Sequence, residues 1–273
     1  IGKQPAGGNP KEYQVIYAPH MLEIRHVENN LRTILQTTIA PKEDICLQKI
    51  TLTNNANEKR SIRVMSYGEV VLARQASDRQ HPAFNKMFIE SSFDNNLNML
   101  HFQRRRRSSK DDPRGMSHVL VDKEPGIVRY EADRAKFIGR NHDIHHPWVL
   151  TQEQPLSGTV GITLDPIYSI SKDVSIEPNE SLTLTFLTMA TENQEKAVQW
   201  ARKYQDITRI DNAFSAAETQ SEKLLRALEL KSGQLTKFEN LLSRIIYPMP
   251  VLRPESEILE KNVLGQSGLW TFS

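Results

Sequence analysis

Between about residues 13 and 190, apolar and polar positions alternate with a period of two, broken at short intervals by turn residues. Leu22 and Ile24 alternate with Glu23 and Arg25, and Leu31, Thr33, Leu35, Thr37 and Ile39 alternate with Arg32, Gln36 and Thr38. That repeat belongs to a strand with one face buried. Further strands are expected over residues 87–93, 119–121, 156–160 and 182–189. Ile50-Thr51-Leu52-Thr53 runs into Asn54-Asn55-Ala56-Asn57, and alternation resumes over residues 61–67. This reads as a hairpin closed by a polar turn. Many strands with few helices between them predict a mainly β fold, a large sandwich of antiparallel sheets packed face to face.

The period changes at residue 191. Thr191, followed three positions later by Gln194, fits a capping box that opens a helix. Ile210, Phe214, Ala217, Leu224, Leu225 and Leu228 fall at helical spacing. Leu235, Phe238, Leu242, Ile245 and Ile246 repeat it after Ser232-Gly233. Two amphipathic helices on either side of Gly233 are expected to form an antiparallel hairpin, the second stopped by Pro248, Pro250 and Pro254. The expected division is a linker over residues 1–12, the sandwich over 13–190, a helical linker over 191–261 and the start of a further domain over 262–273. Leu269, Trp270 and Phe272 need a partner surface there. No initiator Met or signal-like core opens the chain. It is therefore expected to be cut from something longer.

Of the 273 residues 38% are hydrophobic and 25% charged, which suits a globular chain with a real core. Lys and Arg number 35 against 33 Asp and Glu, a net charge of +2. That balance argues against nucleic acid as a partner, since such affinity needs excess cations. The one cysteine, Cys46, excludes an internal disulfide and reads as a buried strand residue in a reducing compartment. No uncharged apolar run is long enough to span a bilayer.

The most charged run contains Gln103, Arg104, Arg105, Arg106 and Arg107. Adjacent guanidiniums repel one another and suit phosphate or carboxylate, so these five residues are the candidates for contact with substrate or phosphate. A solvated loop paired with Asp111, Asp112 or Glu is the plainer reading. His142-Asp143-Ile144-His145-His146-Pro147 matches no zinc spacing, and no metal or cofactor is expected. His81 and His118 read as loop or strand-end residues. Glu69, Asp78, Asp133 and Asp165 are the acidic candidates. Asp133-Arg134 reads as an adjacent ion pair and Asp165-Pro166 as a turn. No catalytic motif stands out among GxSxG, P-loop, GxGxxG, HExxH and paired cysteines.

Six blocks occur in a telling order. They are Leu52-Thr53-Asn54-Asn55; Ser66-Tyr67-Gly68-Glu69-Val70-Val71-Leu72-Ala73; His81-Pro82-Ala83-Phe84-Asn85-Lys86-Met87-Phe88; Asp133-Arg134-Ala135-Lys136-Phe137-Ile138-Gly139-Arg140; Leu156-Ser157-Gly158-Thr159-Val160-Gly161 with Leu164-Asp165-Pro166-Ile167; and Asn262-Val263-Leu264-Gly265-Gln266-Ser267-Gly268-Leu269-Trp270. Together they resemble the phosphorylase-like region of cyclic β-1,2-glucan synthases, in glycoside hydrolase family 94. The resemblance runs from about residue 13 to 273. It implies a galactose mutarotase-like β super-sandwich and an α-helical linker, ahead of an (α/α)6 barrel that carries a general-acid aspartate and a phosphate site. It also implies inverting phosphorolysis of β-1,2-glucan by inorganic phosphate in the parent enzyme, and a homodimer. By the same resemblance the parent would sit in a bacterial inner membrane with this portion on the cytoplasmic side, reaching the membrane only through other parts. The fragment would be inactive alone and serve as scaffold, as dimerisation surface or as donor of a loop to the substrate cleft. A stand-alone 1,2-β-oligoglucan phosphorylase, a carbohydrate-binding module and an independent mutarotase-like enzyme are the alternatives. Asn141 stands where relatives tend to have glycine, and Thr271-Phe272-Ser273 departs from their Ala-Tyr-Gly-Ile.

Overall fold

The computed structural model describes residues 10–106, 114–246 and 255–261. The chain divides into two compact units, residues 1–222 and 223–273. The first contains two antiparallel sheets. The larger has nine strands in the order β1 (Glu12–Ala18), β2 (Met21–Glu28), β3 (Leu31–Ile39), β4 (Ile45–Asn54), β13 (Ser181–Thr191), β9 (Gly115–Val121), β8 (Met99–Arg104), β7 (Ile89–Asp94) and β11 (Gly161–Ile162). The smaller is β10 (Val128–Asp133), β12 (Pro166–Ile176) and β5 (Arg60–Met65), with β6 (Gly68–Glu69) also paired to β12. Short helices α1 (Gln75–Gln80), α2 (Pro82–Lys86), α3 (Arg134–Ile138) and α4 (Trp148–Thr151) interrupt the strands. α5 (Gln194–Tyr204) and α6 (Ile207–Ala227) follow them. The second unit holds α7 (Ser232–Ile246) and α8 (Ser256–Glu260).

Alternation along the strands sorts side chains into three layers of core. Ile170, Val174 and Ile176 of β12 meet Ile50, Leu52, Leu184 and Phe186 of the large sheet. On the outer face of β12, Ile167 packs with Phe137, Ile138, Val149 and Leu156. On the far face of the large sheet, Ile45, Leu47, Leu187 and Met189 meet Ala197, Trp200, Ala201, Tyr204 and Ile210 of α5 and α6. β4 keeps strict alternation: odd-numbered Ile45 and Leu47 face the helices, even-numbered Ile50 and Leu52 face the other sheet, and its register with β3 and β13 is unbroken.

The expected hairpin over residues 50–67 does not form. β4 pairs with β3 and β13, and β5 pairs with β12, so the turn carries the chain from one sheet to the other. Asn54, fully buried, explains the crossing. Its Nδ2 donates to the carbonyls of Glu58 (2.7 Å), Ile176 (3.0 Å) and Glu177 (3.3 Å), and its Oδ1 accepts from the Ala56 amide. The backbone amides of Asn54 and Asn179 add bonds to the carbonyls of Glu180 and Asn54. One side chain thus ties β4→β5 to β12→β13, where the chain crosses back.

Two more expectations need correction. Residues 156–160 form no strand: Gly158 takes a positive φ of 75°, which breaks extended geometry. The segment is instead laid along β10 through Gly158 N–H to the Tyr130 carbonyl and Ala132 N–H to the Thr159 carbonyl. Thr191 does not cap a helix; it ends β13, and Asn193 caps α5 by accepting from the Lys196 amide at 3.0 Å. Pro248, Pro250 and Pro254 lie outside the described residues. Asn141, at the position where relatives tend to have glycine, has φ 64°, a left-handed conformation that asparagine tolerates better than most side chains.

Asn54→Ala strands the buried Ile176 carbonyl and the buried Ala56 amide, each costing about 1–3 kcal/mol when left without a partner. A loss of about 3 kcal/mol of folding stability is expected, read as a lower urea midpoint at an unchanged m-value.

Candidate functional site

The arginine run begins on β8, which β7 and β9 flank. Pairing sets Gln103 opposite Glu90 and Gly115. Gln103 is committed to structure, its Nε2 donating to the Arg114 carbonyl at 2.9 Å. Arg104 is committed as well: it donates to the carbonyl of Asn85 at 2.7 Å and to its Oδ1 at 3.0 Å, and lies 5.5 Å from the Phe88 ring centre. These contacts hold α2 against the sheet. Arg105 and Arg106 are exposed. Arg107 lies outside the described residues, as do Asp111 and Asp112.

Both exposed arginines line a cleft of about 580 Å³ with Gln103, Arg104, Glu90, Ser91, Ser92 and His101. Glu192, Asn193 and Gln194, at the β13–α5 junction, complete the lining. The walls are hydroxyl, amide, carboxylate and guanidinium, a chemistry suited to polyhydroxylated or anionic ligands. None of those wall residues outside the arginine run was legible as a site residue. β7, β8 and the junction come together only through strand pairing, which no local pattern encodes.

Four of the six sequence blocks meet elsewhere on the sandwich. Arg134 Nε lies 3.3 Å from Glu69 and 3.7 Å from Asp165, and Lys86 Nζ reaches Asp165 at 2.6 Å. Tyr67 donates to Glu69 at 3.4 Å. Adjacency misleads here: Asp133 does not pair with Arg134 but caps α3, accepting from the Ala135 amide at 2.9 Å. Asp165 serves as an ion-pair partner just before β12. The network joins α2, β6, α3 and the start of β12 into a brace with no free carboxylate pair. Asp78 sits in α1 with a buried, unpartnered Oδ1.

The histidines divide into surface and core. His81 is exposed at the α1–α2 junction. Asp143 accepts from the amides of His145 and His146, and His142 Nδ1 meets the His146 carbonyl, so that loop closes on itself. Among the described residues no group of three or more His, Cys, Asp or Glu could hold a metal ion. His118 is no strand-end residue but lies wholly inside the sandwich, against the sequence expectation. Its Nδ1 lies 3.0 Å from Thr188 Oγ1 and its Nε2 2.9 Å from Ser66 Oγ, and its ring stacks on Tyr168 and Phe186. Burial pushes its pKa down to about 3. Burial also lowers that of His101, opposed by a hydrogen bond to Gln103, and raises that of the Cys46 thiol. A neutral imidazole clamped on both nitrogens is structural.

The model of the glycosyl hydrolase 94 supersandwich domain matches residues 1–207. The chain belongs to that family. It is also 28% identical, over 244 residues, to the cyclic beta-(1,2)-glucan synthase NdvB of Rhizobium meliloti (strain 1021). The match covers 88% of this chain but only 9% of that protein. Solved structures give looser likenesses. The polysaccharide lyase BACCELL_00875 is 17% identical at a TM-score of 0.37, covering 63% of this chain and 21% of its own. The heparan sulfate lyase HepC from Pedobacter heparinus is 9% identical at 0.36, covering 67% and 22%. Scores of that size carry nothing about chemistry. Among the described residues of this supersandwich chain, no helix is long and apolar enough to cross a membrane.

Two measurements separate structural from available groups. Arg104→Ala should cost about 1.5–3 kcal/mol, the range for hydrogen bonds to a charged group. Arg105→Ala and Arg106→Ala should each stay within about 0.5 kcal/mol of the parent by urea unfolding. His118 sets a pH dependence. The unfolded chain takes up its proton as pH falls below about 6.5, whereas the native state resists until about 3. Its contribution is thus present above 6.5 and is lost as pH falls, at up to about 1.4 kcal/mol per pH unit. Unfolding curves from pH 6.5 to 5 should show that slope, and His118→Gln should make it shallower.

Proposed function

We propose that this chain is the non-catalytic supersandwich portion of an enzyme that cleaves β-1,2-glucan with inorganic phosphate and inversion. In this reading the general-acid aspartate and the phosphate site belong to a barrel elsewhere in such an enzyme. The acid protonates the glycosidic oxygen while phosphate attacks the anomeric carbon from the opposite face. Phosphate replaces the water and its base, so a single carboxyl group suffices. The likeness to NdvB along 88% of the chain supports this assignment. The enzyme bearing the domain would be membrane-anchored, with this portion on the cytoplasmic side.

Within it, the sandwich acts as a rigid support that also presents side chains to the glucan path. The observation that carries this is the division within the arginine run. Gln103 and Arg104 are spent on holding β8, β9 and α2 together. Arg105 and Arg106, by contrast, stand exposed beside a polar cleft and, among the described residues, have no carboxylate partner. Guanidiniums in that setting donate to sugar hydroxyls or to phosphate oxygens without first breaking a salt bridge.

Calorimetric titration of β-1,2-glucooligosaccharides into the chain, with and without phosphate, tests the reading. Binding in the millimolar range or tighter is expected, weakened at least tenfold in Arg105→Ala/Arg106→Ala. Heat from phosphate alone would assign the arginines to phosphate. Absence of heat from either would remove the cleft from the reaction and leave a scaffold.

A further inference from the structure

Three neighbouring strands of the large sheet open or end at one place. β4 begins just after Asp44, β9 begins just after Arg114, and β13 ends at Thr191, which leads through Glu192 into α5. Pairing of Thr191 with Gly115, and the bond from the Ala190 amide to the Asp44 carbonyl, hold these ends side by side. Val71-Leu72-Ala73, the segment after β6, reaches the same place, with Leu72 packed on the sandwich core. These residues, with Lys196 from the first turn of α5, line a second cleft of about 330 Å³. Thr191 is the unexplained member. The capping role its spacing suggests belongs to Asn193. Thr191 is only 6% exposed, and among the described residues its hydroxyl has no hydrogen-bond partner. A hydroxyl so placed has lost water without replacing it, a cost that a ligand in the cleft can relieve.

The charges around the cleft cancel. Arg114 and Lys196 stand against Asp44 and Glu192. Lys196 Nζ lies 4.9 Å from the Trp200 ring centre, and among the described residues neither it nor the two carboxylates form an ion pair. An anion here would meet both carboxylates and a cation both basic groups, so Coulomb attraction selects neither. Among the described residues no cluster of ligands could hold a metal ion. What the wall does offer is donors, acceptors and an aliphatic strip on which Val71 is 43% exposed. A sugar ring matches that set, with hydroxyls around its rim and C–H groups on its faces. The volume falls at the small end of ligand pockets. We propose that this cleft binds a neutral mono- or disaccharide, at a site beside the arginine cleft but separate from it, with Glu192 in the wall of both. That the sugar is a piece of β-1,2-glucan rests on the function proposed above; the preference for a neutral polyhydroxylated ligand does not.

Calorimetry tests it, with the β-1,2-linked glucose disaccharide and, separately, inorganic phosphate titrated into the 273-residue chain carrying Arg105→Ala/Arg106→Ala. That background silences the neighbouring cleft. The disaccharide should still bind in the millimolar range, at least tenfold more weakly once Thr191→Val or Lys196→Met is added. Phosphate should give no heat. Thr191→Val exchanges an unmet hydroxyl for a methyl group, so its urea midpoint should be no lower than the parent's. A lower midpoint would mean that the fold uses the hydroxyl, and would overturn the proposal. So would disaccharide binding that is absent from the arginine background or indifferent to both wall variants, or phosphate heat that Lys196→Met removes. The two readings fail separately. Equal binding of the β-1,4-linked disaccharide keeps the cleft and removes the β-1,2-glucan assignment. Sugar binding lost with the arginines alone removes the cleft and keeps that assignment.

Discussion

The amide of Asn54 holds the end of the sandwich where the chain changes sheets in both directions. A sandwich whose sheets exchange strands must fix each crossing, because a slip of one residue turns every core side chain outward. Here β4 leaves the large sheet for β5 and β12 leaves the small sheet for β13, and a single buried side chain bonds the carbonyls at both exits. With those ends fixed, the alternation along β12 and β13 places Ile170, Val174, Leu184 and Phe186 in one shared layer. The arginine cleft inherits this order at one remove, since β7, β8 and β9 take their register from β13.

Inside that layer the two sheets also meet through polar groups. His118 of β9 reaches Ser66, and Lys172 of β12 reaches both oxygens of Asp122, at 2.8 Å each, and the carbonyl of Glu124. The lysine and the aspartate are almost fully buried. A buried pair of this kind contributes little net stability, because desolvation offsets attraction, but losing one partner leaves a stranded charge. Such contacts choose among packings more than they add stability. They admit the arrangement in which Lys172 meets Asp122 and penalise its neighbours.

Much of the fold is legible along the sequence because strand alternation is local. β2, β3, β7 and β13 fall close to where the pattern puts them. Pairing is not local, and the reading failed there: two adjacent strands with a polar turn look like a hairpin whether or not they share a sheet. The same limit governs the site. Four arginines in a row announce charge, but whether a guanidinium is free depends on Asn85, which lies 19 residues from Arg104. Asp133 beside Arg134 suggested a pair for want of knowing that Glu69 and Asp165 would be nearer. The sequence blocks marked Tyr67, Glu69, Lys86, Arg134 and Asp165 as belonging together, and their physical connection is the brace they form.

Among the described residues β13 is the last strand in sequence, and it is a central one in space. Its Thr183 hydroxyl sits 3.1 Å from that of Thr51 across 132 residues of intervening chain. During synthesis at about 5–20 residues per second, the meander of β1 to β4 can assemble while its inner edge stays open on the order of ten seconds. The strand that finally closes it also carries the junction to α5. A ribosome stalled before residue 181 would therefore display an unfinished sheet, and the nascent protein's exposure to misassembly is set by translation speed rather than by final stability.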